Sequence, residues 1–291
     1  MFITSHIREV RMSNKIFRLN RTVLGAFLVL CLLGFFWQAG CGMQTQEIKK
    51  KSGKLEKIKA AGKIVVGTSS DYPPYEFHLL PELEDEMVGI DIDIAEAIAA
   101  NLNVTLEIRD IVFSQLFDEL IAERIDLALA GLSPTESRKL VADFSIPYYQ
   151  AIQNMLIRTA DKDRIKQLED LRGKVVGTQS GSIQEDMARK SISGATFFFH
   201  ESITELINAL RLQKLDAVIL EKPVADAYAF TNKDLINMEC STDSIPLGSA
   251  IAVKKSDNDL LERVNKILAD LIRENKIIEF VQDAKVLTDK I

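Results

Sequence analysis

Cysteine, histidine and basic charge are all scarce in this sequence, and each shortage excludes a class of chemistry. There are three cysteines and three histidines in 291 residues. Cys31 and Cys41 fall in the N-terminal segment, which leaves Cys240 alone in the body of the chain. One cysteine forms no internal disulfide, and no spacing suits a structural zinc site. His6, His78 and His200 make no triad pattern with a serine or cysteine and no metal-ligand pattern. No metal and no cofactor is therefore expected. The formal net charge is -6. Five basic residues and one acid precede Cys41, so the remainder holds 31 basic and 41 acidic residues, a balance of -10. Nucleic-acid binding needs clustered lysine and arginine, which this balance argues against. The apolar run Val23 to Trp37, broken only by Gly25 and Gly34, falls short of the roughly 20 residues of a bilayer span.

That run has another use. Arg8, Arg11, Lys15, Arg18 and Arg21 precede it, and Gln38-Ala39-Gly40-Cys41 follows it. A basic stretch, an apolar stretch and small residues before a cut site describe an export signal, with Met12 as an alternative start. Ala39-Gly40-Cys41 resembles the end of a bacterial lipoprotein signal, with Cys41 lipidated, although Gln38 stands where that signal usually has an aliphatic residue. Cleavage without lipid, or an uncleaved anchor helix, are the alternatives. Residues 1–41 are thus read as signal and 42–59, polar and lysine-rich, as a flexible tether.

The body carries an internal echo. Gly62-Lys-Ile-Val-Val-Gly-Thr-Ser-Ser70 recurs as Gly173-Lys-Val-Val-Gly-Thr-Gln-Ser-Gly181, each a β-branched strand running into a Gly/Ser turn. Leu120-Ile-Ala-Glu-Arg-Ile-Asp-Leu-Ala-Leu-Ala130 recurs as Leu210-Arg-Leu-Gln-Lys-Leu-Asp-Ala-Val-Ile-Leu220. Each half reads strand, helix, strand, helix, strand. The expectation is an α/β protein of two lobes, each built on a mostly parallel sheet flanked by helices. Lobe 1 takes 60–152 plus 245–291, and lobe 2 takes 153–244. Two crossings, the second near Pro246–Ser249, make a hinge, and the cleft between the lobes is the expected ligand site.

Candidate site residues lie where strands end. Ser133, Pro134 and Glu136 read as a capping box with proline at the first helical position, which aims a helix N-terminus at the cleft. Arg138 follows on that helix, and a guanidinium suits a carboxylate bidentately. Ser182-Ile183-Gln-Glu185, after Gln179-Ser-Gly181, reads as a second capping box. Two helix starts at one cleft favour an anionic group, although each also serves as a plain cap. Glu221, ending the strand Asp216 to Leu220, suits an ammonium group, with Ser133 Oγ and the Gly131 carbonyl offering to share it. Tyr72, in Asp71-Tyr-Pro-Pro-Tyr-Glu-Phe77, and Phe113 can stack over a ligand. Glu76 faces either the pocket mouth or solvent.

Jointly these stretches resemble the polar amino-acid-binding family of ABC-importer solute receptors, solute-binding protein family 3. They are Val66-Gly-Thr with Tyr72-Pro-Pro-Tyr-Glu-Phe, Val88-Gly-Ile-Asp-Ile-Asp-Ile-Ala, Asp126 to Arg138, Phe144-Ser-Ile-Pro-Tyr-Tyr149, Gly177 to Glu185 and Asp216-Ala-Val. The resemblance implies a type II periplasmic-binding-protein fold. It implies Arg138 on an α-carboxylate with the Ser133 and Ser182 backbone N–H groups, and Glu221 on the α-ammonium with Gly131 and Ser133. It places Tyr72 and Phe113 around the side chain. Ser69 stands where several members carry an aspartate, so Ser69, Glu76 and Gln179 leave arginine, lysine, histidine and glutamine open as ligands. The partners implied are an L-amino acid, an ABC-transporter permease and, through the N-terminus, the membrane. The chain is expected to be an exported monomer at the outer face of the cell membrane or in the periplasm, and not an enzyme. A small dehydratase or lyase on the same fold would have Glu221 as its acid or base, and a sensor ectodomain is a third reading.

Overall fold

The two echoes in the sequence become two sheets of the same topology. The computed structural model describes residues 53–79, 86–240 and 247–288. The stretch read as an export signal, Cys41 and residues 42–52 lie outside the described residues, as does Pro246 of the second crossing.

From the N-terminus, α1 (Lys54–Ala61) leads into β1 (Lys63–Thr68). A small antiparallel patch follows, made of β2 (Asp71–Tyr72), β3 (Glu76–His78) and β4 (Met87–Val88). Then come α2 (Ile90–Leu102), β5 (Thr105–Asp110), α3 (Leu116–Ile121), β6 (Leu127–Ala128), the four-residue α4 (Glu136–Lys139) and β7 (Ala142–Phe144). The chain crosses into β8 (Gln153–Arg158), β9 (Val175–Gln179), α5 (Ile183–Ser191) and β10 (Thr196–His200). It continues through α6 (Ile203–Arg211), β11 (Ala217–Glu221), α7 (Lys222–Thr231) and β12 (Leu235–Glu239). It returns to β13 (Ala252–Lys254) and closes with α8 (Asn258–Arg273) and α9 (Lys276–Leu287).

One sheet has the order β5-β1-β6-β13-β7 and the other β10-β9-β11-β8-β12. In each, three parallel strands are followed by an antiparallel one. That antiparallel strand, β13 or β8, is the one entered from a crossing between the lobes. The two crossings touch at an antiparallel bridge between Tyr149 and Ser249. The echo extends to single hydrogen bonds. The Asp126 carboxylate accepts from Val65 N at 2.8 Å while Asp126 N donates to Val65 O at 2.7 Å. Asp216 repeats this on Val175, at 2.8 and 2.7 Å. An aspartate before each third strand thus pins it to the first strand, which explains why both halves carry that residue.

The strands bury their apolar runs on both faces, as parallel strands covered by helices must. The residues of β11 are all buried, as are five of the six in β1. On the C-terminal stripe, Leu260, Val264, Ile267 and Leu268 are buried. Both α8 and α9 pack on α2. Cys240 is a buried free thiol in the second lobe's core.

The stretch read as tether ends earlier than 59. Residues 54–61 form α1, which packs on β1 and α8. The helix is held by tertiary contacts. Asp259, at the start of α8, accepts from Lys54 N at 3.2 Å and Leu55 N at 3.0 Å. Lys54 also pairs with Asp126 at 2.6 Å. Among the described residues no helix is long and apolar enough to cross a membrane.

Candidate ligand-binding site

The carboxyl ends of β1, β6, β9 and β11 meet between the lobes. Tyr72, Phe113, Ala130, Gly131, Ser133 and Arg138 from the first lobe, with Gln179, Ile183, Gln184 and Glu221 from the second, line one cavity of about 10 Å³. That volume suffices for one water and no amino acid, although Ser133, Ile183 and Glu221 also line an adjoining opening of about 560 Å³.

Gly131 takes φ of +55°, and a Cβ there would lie 3.3 Å from the Tyr72 ring. Its N–H donates to Asp91 Oδ2 at 2.9 Å. Asp91 also accepts from the Tyr148 hydroxyl at 2.6 Å. Burial pushes the Asp91 carboxyl up to about 6 in spite of these donors.

Arg138 reaches the cavity from α4. Its Nη1 donates to Ser133 O at 3.0 Å and its Nη2 to Gly181 O in the other lobe at 3.2 Å. The guanidinium lies over Phe113 and Phe117, 5.6 and 5.5 Å from the ring centroids, in cation–π geometry. Burial lowers its pKa to about 10, against the pull of Asp186 and Glu221, so it remains a cation at neutral pH.

The cap of this helix differs from the sequence reading. Thr135, not Ser133, is the N-cap, and its Oγ1 accepts from Arg138 N at 3.2 Å. Ser133 precedes a proline, which disfavours the helical backbone, and Thr135 is itself extended. Pro134 therefore lies before the cap and not at the first helical position. With four residues, α4 carries Arg138 without offering a helix-dipole site. Of the second expected capping box only the serine half forms: Ser182 Oγ accepts from Glu185 N at 3.2 Å and donates to Gln179 O at 2.7 Å. Glu185 reaches back to Gly181 N at 2.9 Å.

Glu221 faces the cavity from the opposite lobe to Arg138 and is buried, 3 % exposed. Its Oε2 accepts from the Tyr75 hydroxyl at 2.5 Å. Burial raises its carboxyl to about 7, with Asp91 adding to the rise and Tyr75, Gln153 and Arg138 opposing it. Tyr72 stacks on Tyr75, with centroids 5.6 Å apart, and its hydroxyl accepts from Glu221 N and Gln184 Nε2, both at 3.4 Å. Gln184 Nε2 donates at 2.8 Å to Gln153 Oε1.

Two of the expected residues sit elsewhere. Glu76 faces neither the pocket mouth nor solvent: it is fully buried beside Asp91, and burial and that neighbour push its carboxyl well above the usual range. The β2–β3 turn and the pairing of β3 with β4 carry it inward. Ser69 lines a neighbouring opening of about 280 Å³ with Asp71, Asp110, Glu201 and Ser202. Gln179 links the two spaces, lining the first while its Nε2 donates to Glu201 O at 3.0 Å. The sequence reading missed Tyr75, Asp91 and Gln184. The two tyrosines of Tyr72-Pro-Pro-Tyr75 were the available signal for the first.

The pattern of the bacterial extracellular solute-binding proteins, family 3, matches residues 64–283. The chain belongs to that family. The arginine-binding extracellular protein ArtP of Bacillus subtilis is 36 % identical over 213 residues, which cover 72 % of this chain and 80 % of ArtP. The crystal structure of the amino acid ABC transporter substrate-binding protein AbpA from Streptococcus pneumoniae, bound to L-arginine, superposes with a TM-score of 0.78. It is 33 % identical and covers 80 % of this chain and 98 % of AbpA. The ancestral amino acid-binding protein AncCDT-1, a precursor of cyclohexadienyl dehydratase, has a TM-score of 0.73 at 28 % identity, covering 79 % and 98 %. As a family 3 solute-binding protein, the chain has the two-lobed type II fold, its cleft between two mixed sheets.

Several bonds span the two lobes. Besides Arg138–Gly181 and Tyr75–Glu221, the Asp71 Oδ2 accepts from Ser202 Oγ at 2.8 Å, Ile203 N at 2.7 Å and Thr204 N at 3.4 Å. The Tyr228 hydroxyl donates to Asp71 O at 2.9 Å.

Proposed function

We propose that the protein is the receptor of an ABC importer for L-arginine. One observation carries this reading: a single cation, Arg138, and a single carboxylate, Glu221, face one buried cavity from opposite lobes. A zwitterion needs both. Arg138 takes the α-carboxylate, with Ser133 and the N-terminus of α5 at Ser182 and Ile183 beside it. Glu221 takes the α-ammonium, with the Gly131 carbonyl and Ser133 Oγ. Tyr72 and Phe113 flank the ligand. Closure removes water and strengthens both pairs. A ligand lacking either charge leaves a buried partner unpaired, at about 2–5 kcal/mol.

Two observations support a cationic side chain. ArtP is described as arginine-binding and AbpA was crystallised with L-arginine. The adjacent opening is lined by Asp110 and Glu201, and by Asp71, whose carboxylate is already engaged by the start of α6. Gln179 and Ser69 add neutral polar contacts on the way to it. Cys41 is the proposed lipid attachment site, which tethers a monomer to the outer face of the cell membrane. The reading assigns no catalytic role: Glu221 is committed to the ammonium, and the relatives with arginine named are binding proteins.

The test is a thermal-shift and calorimetric screen of residues 42–291, refolded free of carried ligand, against the twenty L-amino acids. A ligand that binds only the native state raises the melting temperature. Arginine is expected to give the largest rise, and Arg138→Ala to weaken it at least about tenfold. Folded protein that responds to no amino acid, or an unchanged affinity in Arg138→Ala, overturns the reading.

A further inference from the structure

We propose that Tyr75 is a positioning residue for ammonium recognition: its hydroxyl fixes one oxygen of Glu221 and ties that carboxylate to the hinge through Ser249. This rests on the reading of Glu221 as the ammonium partner and goes beyond it. Tyr75 is not among the residues that line the ligand cavity, so it acts through the carboxylate.

The geometry is a short relay. Ser249 Oγ donates to the Tyr75 hydroxyl at 3.2 Å, and that hydroxyl donates to Glu221 Oε2 at 2.5 Å. All three residues are buried, at 1, 0 and 3 % exposure. Ser249 is the residue at which the returning crossing bridges Tyr149 of the outgoing one. The Tyr75 ring lies edge-on to Tyr149, with centroids 5.8 Å apart, and stacks on Tyr72. Its main chain is held as well: Asp91 N donates to Tyr75 O at 2.9 Å and Ile90 N to Pro74 O at 3.0 Å. The phenol has little freedom to leave Glu221 while the lobes are closed.

The chemistry follows from what a buried carboxylate needs. Glu221 has two oxygens, and a ligand ammonium meets it from the cavity. A neutral donor on Oε2 stabilises the ionised form without competing as a cation, and it fixes which oxygen turns to the ligand. A phenol suits this because burial and Glu221 itself hold the Tyr75 hydroxyl well above its usual range, so it stays protonated. A chain of donors polarises its last bond. Other groups that act on Glu221 are Tyr72, Glu76, Asp91, Arg138, Tyr148, Tyr149 and Gln153. Asp91 and Glu76 disfavour its charge, whereas Tyr75, Gln153 and Arg138 favour it. Removing the Tyr75 hydroxyl therefore shifts the balance toward the acids, with Gln153 and Arg138 still opposing them.

The experiment compares wild type, Tyr75→Phe and Ser249→Ala by calorimetric titration with L-arginine from pH 5.5 to 9. In wild type, affinity falls as acid protonates Glu221. Tyr75→Phe is expected to move that midpoint up by about one pH unit, with roughly fivefold weaker binding at pH 7, about tenfold at pH 5.5 and near-recovery at pH 9. Ser249→Ala is expected to shift it in the same direction by less, and it keeps the test alive if Tyr75→Phe folds poorly. A loss that is equal at every pH, or an unmoved midpoint in both variants, overturns the proposal and leaves Tyr75 as packing. If wild type binds no amino acid, the receptor reading fails first. The Glu221 carboxyl is then titrated directly by carbon-13 NMR in the same proteins, where a shared midpoint overturns the proposal on its own.

Discussion

Asp71 joins the lobes at a distance from the charges that hold the ligand, so its removal separates closure from recognition. Its carboxylate caps the N-terminus of α6 from the opposite lobe through Ser202 Oγ, Ile203 N and Thr204 N. Two effects oppose each other there. The three donors and the helix dipole favour the charge. Burial disfavours it and wins, with Asp110 adding, since the Asp71 carboxyl stands above the usual aspartate range. Asp71 in this arrangement therefore binds a proton more readily than a solvated aspartate does, and acid does not weaken the contact through this group. Asp71→Ala removes the acceptor altogether and leaves helix N–H groups buried without it. The cost to the closed form is about 2 kcal/mol. Ser202 Oγ still accepts from Glu205 N at 3.3 Å, so α6 keeps a local cap. Affinity for L-arginine should fall about 30-fold, mostly through faster dissociation, because the latch forms after capture. Asp71→Asn keeps an acceptor and discards the buried charge, and should lose less than about fivefold. Calorimetry at pH 7.5, stopped-flow dissociation and solution scattering with saturating arginine measure the three quantities. Wild-type affinity in Asp71→Ala, or equal heavy losses in both variants, would refute the latch.

Two further outcomes follow from backbone geometry and capping. Gly89 has φ of +130°, and a Cβ there would lie 2.3 Å from Tyr75 O; Gly89→Ala should cost about 2–4 kcal/mol, read as a fall in chemical-denaturation midpoint, with arginine affinity lowered as Tyr75 shifts. Asp259→Ala should release α1 at a cost of about 1 kcal/mol, seen as faster proteolysis and hydrogen exchange over residues 54–61 with unchanged arginine affinity.

The strands and the repeat were legible because their signal is local. The β-branched runs at Ile64–Val66 and Val175–Val176, and the aspartates at 126 and 216, declare themselves within a few residues. The Ser182 cap was legible for the same reason, since Ser182 and Glu185 are three apart. Features set by distant partners were not. Lysine-rich 54–61 has only Leu55 and Ile58 to mark an apolar face, and it is helical because Asp259, about 200 residues on, caps it. The sequence leaves Glu76 between pocket mouth and solvent because it hides the neighbour Asp91 and the hairpin that turns Glu76 inward. The serine–proline order at 133–134 looked like a cap start, although proline acts first on the residue before it.

The site's two charges illustrate why a list of ligand contacts understates what the fold supplies. Arg138 and Glu221 were readable from strand ends and a family pattern, but neither is poised by its own element. Arg138 is steered by Phe113, Phe117 and the Ser133 carbonyl, and bonds Gly181 across the cleft. Glu221 is steered by Tyr75, whose hydroxyl rests on Ser249 in the returning crossing. Asp91 binds both Gly131 N, in the ligand cavity, and Tyr148, in the outgoing crossing. Hydrogen bonds thus run from the hinge to each side of the proposed ammonium site, one through Tyr75 and one through Asp91. A change of hinge angle must disturb both, so ammonium binding and lobe closure are coupled by shared atoms, and a ligand without an ammonium should close the lobes less completely even where Arg138 holds its carboxylate.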